Sequence, residues 1–177
     1  MNTKELVDLA LEYGFDYAGP LNVSGLQALQ DVRDACAKNT CGQYGRTWGC
    51  PPAFGDLDES RKILQKYKSG IIVQSVQELE DSFDFEGMGA AMSGFKETVL
   101  RFDELVRPLL GPCLFLTNEG CGRCRACTWP DAPCRFPESL HHSLEGYGFN
   151  VSSLAEQAGL HYTAGPDTVT FFGALLF

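Results

Sequence analysis

Cysteine is the residue type whose number and spacing could do chemistry in this 177-residue sequence, which contains eight of them. Half of them fall in one short segment at the spacing C-x2-C-x2-C-x6-C. They are Cys121, Cys124, Cys127 and Cys134. Two successive two-residue gaps let three thiolates converge from one tight loop, and a fourth can follow further along the chain, as in loops that hold iron–sulfur clusters. The pattern therefore predicts a [4Fe–4S] cluster on these four cysteines.

The residues around these cysteines fit an anionic centre. Gly120 and Gly122 allow the backbone to approach a cluster closely. A [4Fe–4S] cluster held by four thiolates carries a net charge of about −2, which nearby cations stabilise. Five of the eight arginines lie between cysteines or within three residues of one: Arg33, Arg46, Arg123, Arg125 and Arg135.

Zinc is the alternative metal for this segment. A structural zinc site also uses four cysteines, usually as two C-x2–4-C pairs separated by a dozen or more residues. The segment lacks such a separated second pair. Four unliganded thiols that happen to lie close in sequence are the remaining interpretation.

A second cysteine-rich segment precedes the first one in the chain. Cys36, Cys41 and Cys50 follow the spacing C-x4-C-x8-C in a glycine-rich stretch that ends at Pro51-Pro52. Three cysteines are one ligand short of a closed site, so we expect either a second metal site with another fourth ligand or an iron left open. The candidates for that fourth ligand are Cys113, His141, His142 and a residue that the sequence does not identify.

Composition excludes several classes of protein. The chain is 44% hydrophobic and 21% charged, which is typical of a globular domain. Its net charge of −9 argues against nucleic-acid binding, which needs basic surfaces. No apolar run approaches the roughly 18 residues of a membrane span. The N-terminal segment carries Glu5, Asp8 and Glu12 where a signal peptide would be apolar, so we expect a cytoplasmic protein whose grouped cysteines are ligands and not disulfides.

The hydrophobic pattern predicts alternating helices and strands. Helices are expected over Thr3–Tyr13, Ser24–Cys36, Asp56–Lys68, Met88–Val106, Glu138–Tyr147 and Ser152–Ala158. Strands are expected over Asp16–Val23, Gly70–Val76, Cys113–Thr117 and Thr168–Phe177. We therefore expect residues 1–177 to form a single α/β or α+β domain, with a small mixed sheet of about four strands and flanking helices. The cysteine-rich segments at about 36–52 and 119–137 would be irregular metal-binding loops on it.

Two segments carry a resemblance to a known family. They read CGQYGRTWGCPP and GCGRCRACTWPDAPCRFPESLHHSLEGYGFNV. They resemble a family of small predicted metal-binding proteins, widespread in anaerobic bacteria and archaea, whose function is unknown. The resemblance extends over nearly the whole chain and includes Ser143, Glu145 and Gly148, although His142 stands where members often have proline. It implies metal binding by the seven cysteines of the two segments and implies no known reaction.

These observations favour an iron–sulfur protein that transfers electrons to a partner enzyme, or activates it. An acidic surface would suit docking on a basic patch of that partner. One alternative is a zinc-stapled interaction module without redox chemistry. Another is an enzyme with an open iron at the three-cysteine segment, for which Glu119 and Glu145 are the candidate acid–base groups.

Overall fold

A five-stranded sheet forms the centre of the computed structural model, which describes residues 1–118 and 120–177. The strands are β1 (Tyr17–Leu21), β2 (Gly70–Glu78), β3 (Leu114–Thr117), β4 (His142–Ser143) and β5 (Thr168–Leu176). Their order is β1-β2-β5-β3-β4, antiparallel throughout except for the parallel pair β3 and β4. The predicted mixed α/β class is confirmed, with one strand more than expected.

The helices lie on both faces of this sheet. They are α1 (Thr3–Tyr13), α2 (Gln30–Ala37), α3 (Leu57–Leu64), α4 (Phe85–Leu110) and α5 (Val151–Gln157). Two of them begin at capping boxes, because the side chain of Asn2 or Asp56 accepts from the third helical N–H while Glu5 or Glu59 accepts in return. Within the described residues, no helix combines the length and the apolar character that a membrane span requires.

Several helix boundaries differ from the sequence prediction, among them the end of α3 at Leu64 and the start of α4 at Phe85, and two of the differences have a clear local cause. The second helix begins at Gln30 and not at Ser24, because the Ser24 hydroxyl donates to the side chain of Asn22 (2.7 Å) and caps no helix. The fourth helix continues past Pro108 to Leu110. Proline removes only one N–H donor in this last turn, and the N–H of Gly111 still bonds to the Arg107 carbonyl at 3.0 Å.

The predicted helix over Glu138–Tyr147 is wrong. This stretch forms a 3-10 turn at Pro137–Ser139, strand β4, and a second 3-10 turn at Glu145–Tyr147. Pairing with β3 overrides the local helical pattern, since Leu116 and Thr117 are in register with the two residues of β4. The short β4 is the fifth strand that the sequence did not predict.

Alternate residues of the central strands pack into two apolar cores. In β2, Ile71 and Val73 belong to the core formed with α1 and α4, whereas Ile72 belongs to the core formed with α3 and α5. This division follows from the two-residue period of a strand. Because both faces are covered, β2 reads in sequence as a continuous apolar run.

The sheet edge formed by β3 and β4 positions both cysteine-rich segments. The segment with four cysteines connects the end of β3 to β4, and the segment with three cysteines connects α2 to α3. The N–H of Ser143 in β4 donates to the carbonyl of Gly49 at 2.8 Å. This bond joins the three-cysteine segment to the edge strand that follows the other segment.

A buried carboxylate anchors the long helix α4 to the residue before β4. Asp103 is fully buried, accepts from Arg107 Nη2 at 2.7 Å, and lies 3.1 Å from the ring Nε2 of His141. Burial alone would raise the pKa of Asp103, but its hydrogen bonds with His141 and Arg107 hold that pKa below the usual range. The carboxylate therefore stays ionised within the core.

We expect Asp103→Asn to lower the free energy of unfolding by about 3 kcal/mol, because removing one member of a buried charged network leaves its partners uncompensated. Urea denaturation under anaerobic, reducing conditions would measure the loss. The control is Glu97→Gln on the exposed face of α4, whose pair with Arg101 is expected to contribute less than about 0.5 kcal/mol. Equal losses in the two variants would contradict the anchoring role of Asp103.

Candidate metal centre

The four cysteines of the second segment line one cavity of about 440 Å³. These are Cys121, Cys124, Cys127 and Cys134, and each is partly exposed. The loop that carries them is closed from within, since the Thr128 hydroxyl donates to the Pro133 carbonyl at 2.8 Å and Arg135 donates to the Ala126 carbonyl at 2.9 Å. The structure thus brings the four predicted ligands to the wall of one space.

Cationic side chains line the same cavity. They are Arg46, Lys96, Arg123, Arg125 and Arg135. No acidic side chain is found among the described residues that line it. A chain with a net charge of −9 therefore presents a locally positive cavity, which favours an anionic occupant.

Arg123, which lines this cavity, has N–H groups without hydrogen-bond partners. Its Nη1 lies 3.3 Å from Glu104 Oε1, and its guanidinium lies 5.2 Å from the centroid of the Phe136 ring. The side chain is only 13% exposed, and its Nε and Nη2 atoms are buried without a hydrogen-bond partner. A buried donor left unpaired costs about 1–3 kcal/mol, so these two N–H groups fit a bound acceptor.

The three cysteines of the first segment line a second cavity of about 330 Å³. Burial, and to a smaller extent Cys50, Cys41 and Glu145, raise the pKa of the Cys36 thiol to about 11, against the opposing effect of Arg33. Burial also raises the pKa of Cys50. These mutual effects place the three thiols and the Glu145 carboxylate in one electrostatic neighbourhood.

Two tryptophans join the two cysteine loops. The backbone N–H of Trp48 donates to the sulfur of Cys127 at 3.4 Å, and its indole N–H donates to the Ala132 carbonyl at 3.1 Å. In the opposite direction, the Trp129 indole N–H donates to the Gly45 carbonyl at 3.0 Å. The two ring centroids are 4.7 Å apart in an edge-to-face arrangement. Each loop therefore covers part of the other.

Two glycines allow this close contact. A Cβ on Gly49 would lie 2.4 Å from the carbonyl oxygen of His141 and 3.0 Å from the backbone nitrogen of Cys121. A Cβ on Gly120 would lie 3.1 Å from the sulfur of Cys50. The sequence pattern predicts that Gly120 leaves room for a cluster and indicates no role for Gly49. The structure adds that both glycines make room for the other loop.

The three named candidates for a fourth ligand do not line the three-cysteine cavity. Cys113 packs at the start of β3 against the core of α1 and α4, and His141 pairs with the buried Asp103. Burial lowers the pKa of His142 to about 4, and its ring packs against aromatic neighbours. Glu145 does line this cavity. The other nominated carboxylate, Glu119, lies outside the described residues.

The family described as "Predicted metal-binding protein (DUF2284)" matches residues 20–177. The chain belongs to this family. The resemblance expected from the two cysteine segments is confirmed, and the matched range contains all eight cysteines. No curated protein and no solved structure shows significant similarity to the chain.

Across residues 1–118 and 120–177, no group of three or more His, Cys, Asp or Glu side chains is placed to hold a metal ion.

We expect Gly49→Ala to destabilise this family member by about 2 kcal/mol, because the added Cβ meets backbone atoms that cannot move aside. Chemical denaturation of the anaerobically purified protein would measure the change. The matched control is Gly94→Ala within α4, where a Cβ meets nothing within 4 Å. That variant is expected to gain about 0.5–1 kcal/mol from helix propensity. A Gly49→Ala protein as stable as the parent would show that the loop contact is looser than the structure has it.

Proposed function

We propose that the protein holds a [4Fe–4S] cluster on Cys121, Cys124, Cys127 and Cys134 and transfers electrons to a partner protein, or activates it. One observation carries the proposal: the four cysteines line one cavity whose charged lining residues, within the described part of the chain, are all cations. Membership of a predicted metal-binding family supports a metal and leaves its identity open.

The donor set and the space favour a cluster, although the described thiols are not placed as the ligands of a single metal ion. Thiolates select zinc, copper(I) and iron–sulfur clusters over harder cations. The cavity of about 440 Å³ exceeds the share of one water molecule, roughly 30 Å³, more than tenfold, so it has room for a polynuclear group. Four thiolates around such a group leave a net negative charge, which the five lining cations offset.

Backbone amides and Arg123 would adjust the charge on the sulfur atoms. The N–H groups of Trp48 and Phe136 donate to the sulfurs of Cys127 and Cys134, both at 3.4 Å. Hydrogen bonds to sulfur, together with the unpaired N–H groups of Arg123, favour the more reduced and more negative state of a cluster. The chain's own atoms therefore favour electron uptake at this cavity.

The location of the cavity suits exchange with a partner. Its four cysteines are partly exposed, so the cavity lies at the surface and not in either apolar core. A [4Fe–4S] cluster supplies one-electron chemistry when bound. The net charge of −9 favours a partner with a basic docking surface, since charge complementarity speeds encounter.

Loss of one ligand tests the proposal directly. We expect Cys124→Ser to lower iron and sulfide by about four each per chain after anaerobic purification, with a matching loss of visible absorbance. The matched control is Cys113→Ser, which replaces a cysteine packed in the sheet core and is expected to retain the parent's iron and colour. Zinc without sulfide in the parent protein, or full absorbance in Cys124→Ser, would contradict the proposal.

The cations that line the four-cysteine cavity lead to a separate prediction. Arg123→Met removes a largely buried positive charge beside the cavity, so we expect the reduction potential of the bound cluster to fall. Anaerobic potentiometry followed by EPR would measure the shift. Arg101→Met on the exposed face of α4 is the control and is expected to leave the potential unchanged. A cluster whose potential is indifferent to Arg123→Met does not have this guanidinium as its neighbour.

A further inference from the structure

Two phenylalanines at the start of helix α4 are largely exposed. Phe83 is 76% exposed and Phe85 is 75% exposed, more than any other large apolar side chain in the part of the chain that the structure describes. Neighbouring exposed apolar side chains of this size are typical of surfaces that bind another molecule. The start of α4 therefore has the apolar part of an interaction surface.

The turn that carries these rings is held by its own hydrogen bonds. The N–H of Phe83 donates to the Asp81 carboxylate at 2.7 Å, and the N–H of Phe85 donates to the Phe83 carbonyl at 2.8 Å. Asp84 caps α4 by accepting from the N–H of Gly87 at 2.7 Å. An ordered turn thus presents the two rings to solvent, so its backbone has little conformational freedom to lose on binding.

The same turn is strongly acidic. We call residues 78–86 the acidic segment. Its carboxylates belong to Glu78, Glu80, Asp81, Asp84 and Glu86. None of them forms an ion pair with a cation anywhere in residues 1–118 and 120–177. The segment therefore favours an occupant that surrounds an apolar contact with positive charge.

A cationic surface lies on the same flank of α4, three helical turns further along. The positions four, seven and eleven residues after Phe85 fall on one flank of a helix, and they are Gly89, Met92 and Lys96. Lys96 lines the four-cysteine cavity together with four arginines. Three of these arginines are exposed: Arg46, Arg125 and Arg135. With a rise of about 1.5 Å per residue, the acidic and cationic ends of this flank are about 16 Å apart.

A flank with these two ends is complementary to itself. When two copies lie antiparallel about a twofold axis midway between Phe85 and Lys96, the acidic segment of each copy meets the cations of the other. In this arrangement Met92 of one copy lies opposite Gly89 of the other, since both pairs of positions have the same midpoint in sequence. A Cβ on Gly89 would meet nothing within 4 Å, so space is open there for a methionine. The pattern of charge and size therefore fits a second copy of this chain.

We propose that two copies of this chain associate antiparallel through this flank of α4, with Phe85 of each copy against Lys96 of the other. The phenylalanine ring supplies an apolar contact, and a lysine ammonium over its face adds a cation–π attraction. The acidic segment of each copy then lies at the rim of the other copy's four-cysteine cavity and covers part of its opening. Association therefore limits access to this cavity from solvent and from other proteins.

The charge complementarity does not depend on the metal content of the cavity. A [4Fe–4S] cluster with four thiolates would bring a charge of about −2, which the five lining cations exceed. The overall charge of −9 per copy opposes association. Salt screens most of this repulsion, because the Debye length is about 8 Å at physiological ionic strength, whereas the contacts between the two ends act within that distance.

Two glycines of α4 provide a matched test of the contact. Sedimentation equilibrium of the anaerobically purified full chain is expected to show a mass that rises with concentration from 19.4 kDa toward twice that value. Gly89→Trp fills the space that Met92 of the second copy would occupy, so it should weaken association at least about tenfold. Gly94→Trp is the control, since its Cβ also meets nothing within 4 Å but points to another side of the helix. This variant should associate like the parent.

Exchanging the charges of the two ends tests the antiparallel arrangement. Glu80→Lys with Glu86→Lys makes the acidic end basic, and Lys96→Glu with Arg125→Glu makes the cationic end acidic. Each double variant alone should associate at least about tenfold more weakly than the parent, because like charges then face each other. An equimolar mixture of the two should form a heterodimer, since its two altered ends attract each other and its two unaltered ends are native. Two misfolded chains would gain nothing on mixing.

Three results would overturn the inference. A parent that remains monomeric up to about 1 mM would show that the flank binds no second copy. Equal association of Gly89→Trp and Gly94→Trp would place any dimer contact elsewhere. A mixture of the charge variants that stays monomeric, while both retain the parent's circular dichroism, would exclude the antiparallel arrangement. None of these measurements depends on iron, so they leave the proposed metal centre to the iron count of Cys124→Ser.

Discussion

The backbone contact between the two cysteine loops determines both cavities. Neither loop has regular secondary structure over most of its length, so each takes its shape from what it packs against. Gly49 lies against Cys121 and the His141 carbonyl, and Gly120 lies against Cys50. A Cβ at either glycine would contact the other loop too closely, so the two backbones pack together only because both positions lack a side chain. Each cysteine set is therefore positioned by residues of the other loop.

The two cavities share this boundary and differ in charge. Five cations line the four-cysteine cavity, while the three-cysteine cavity has the Ser143 hydroxyl from β4 and the Glu145 carboxylate from the turn that follows it. Charge within a protein is felt most strongly where water is excluded, so the lining of each cavity matters more than the overall charge of −9. The two sets of cysteines thus have different electrostatic surroundings within a few residues of each other.

The sequence predicted the elements and sites that depend on residues close together in the chain. The hydrophobic pattern predicted α1, α3 and β2, and the spacing of Cys121 to Cys134 predicted that these thiols converge. It did not predict β4, because two residues acquire strand character only by pairing with β3, some 25 positions earlier. Glu145 follows β4, so the sequence could not predict that it lies near Cys36. The resemblance included Glu145 as part of a motif, which was the one available signal.

Contacts within the apolar core act on Cys121, one of the proposed ligands, through His141. Burial raises the pKa of Cys121, and the backbone N–H groups of His141 and Arg123 oppose that rise by donating to its sulfur. The same His141 has its ring fixed by Asp103 of α4, which Arg107 holds in turn. A donor whose residue is fixed on both sides keeps its direction when the charge on the sulfur changes. The orientation at Cys121 therefore originates in α4, more than a dozen residues before the loop begins, and the loop sequence alone could not have specified it.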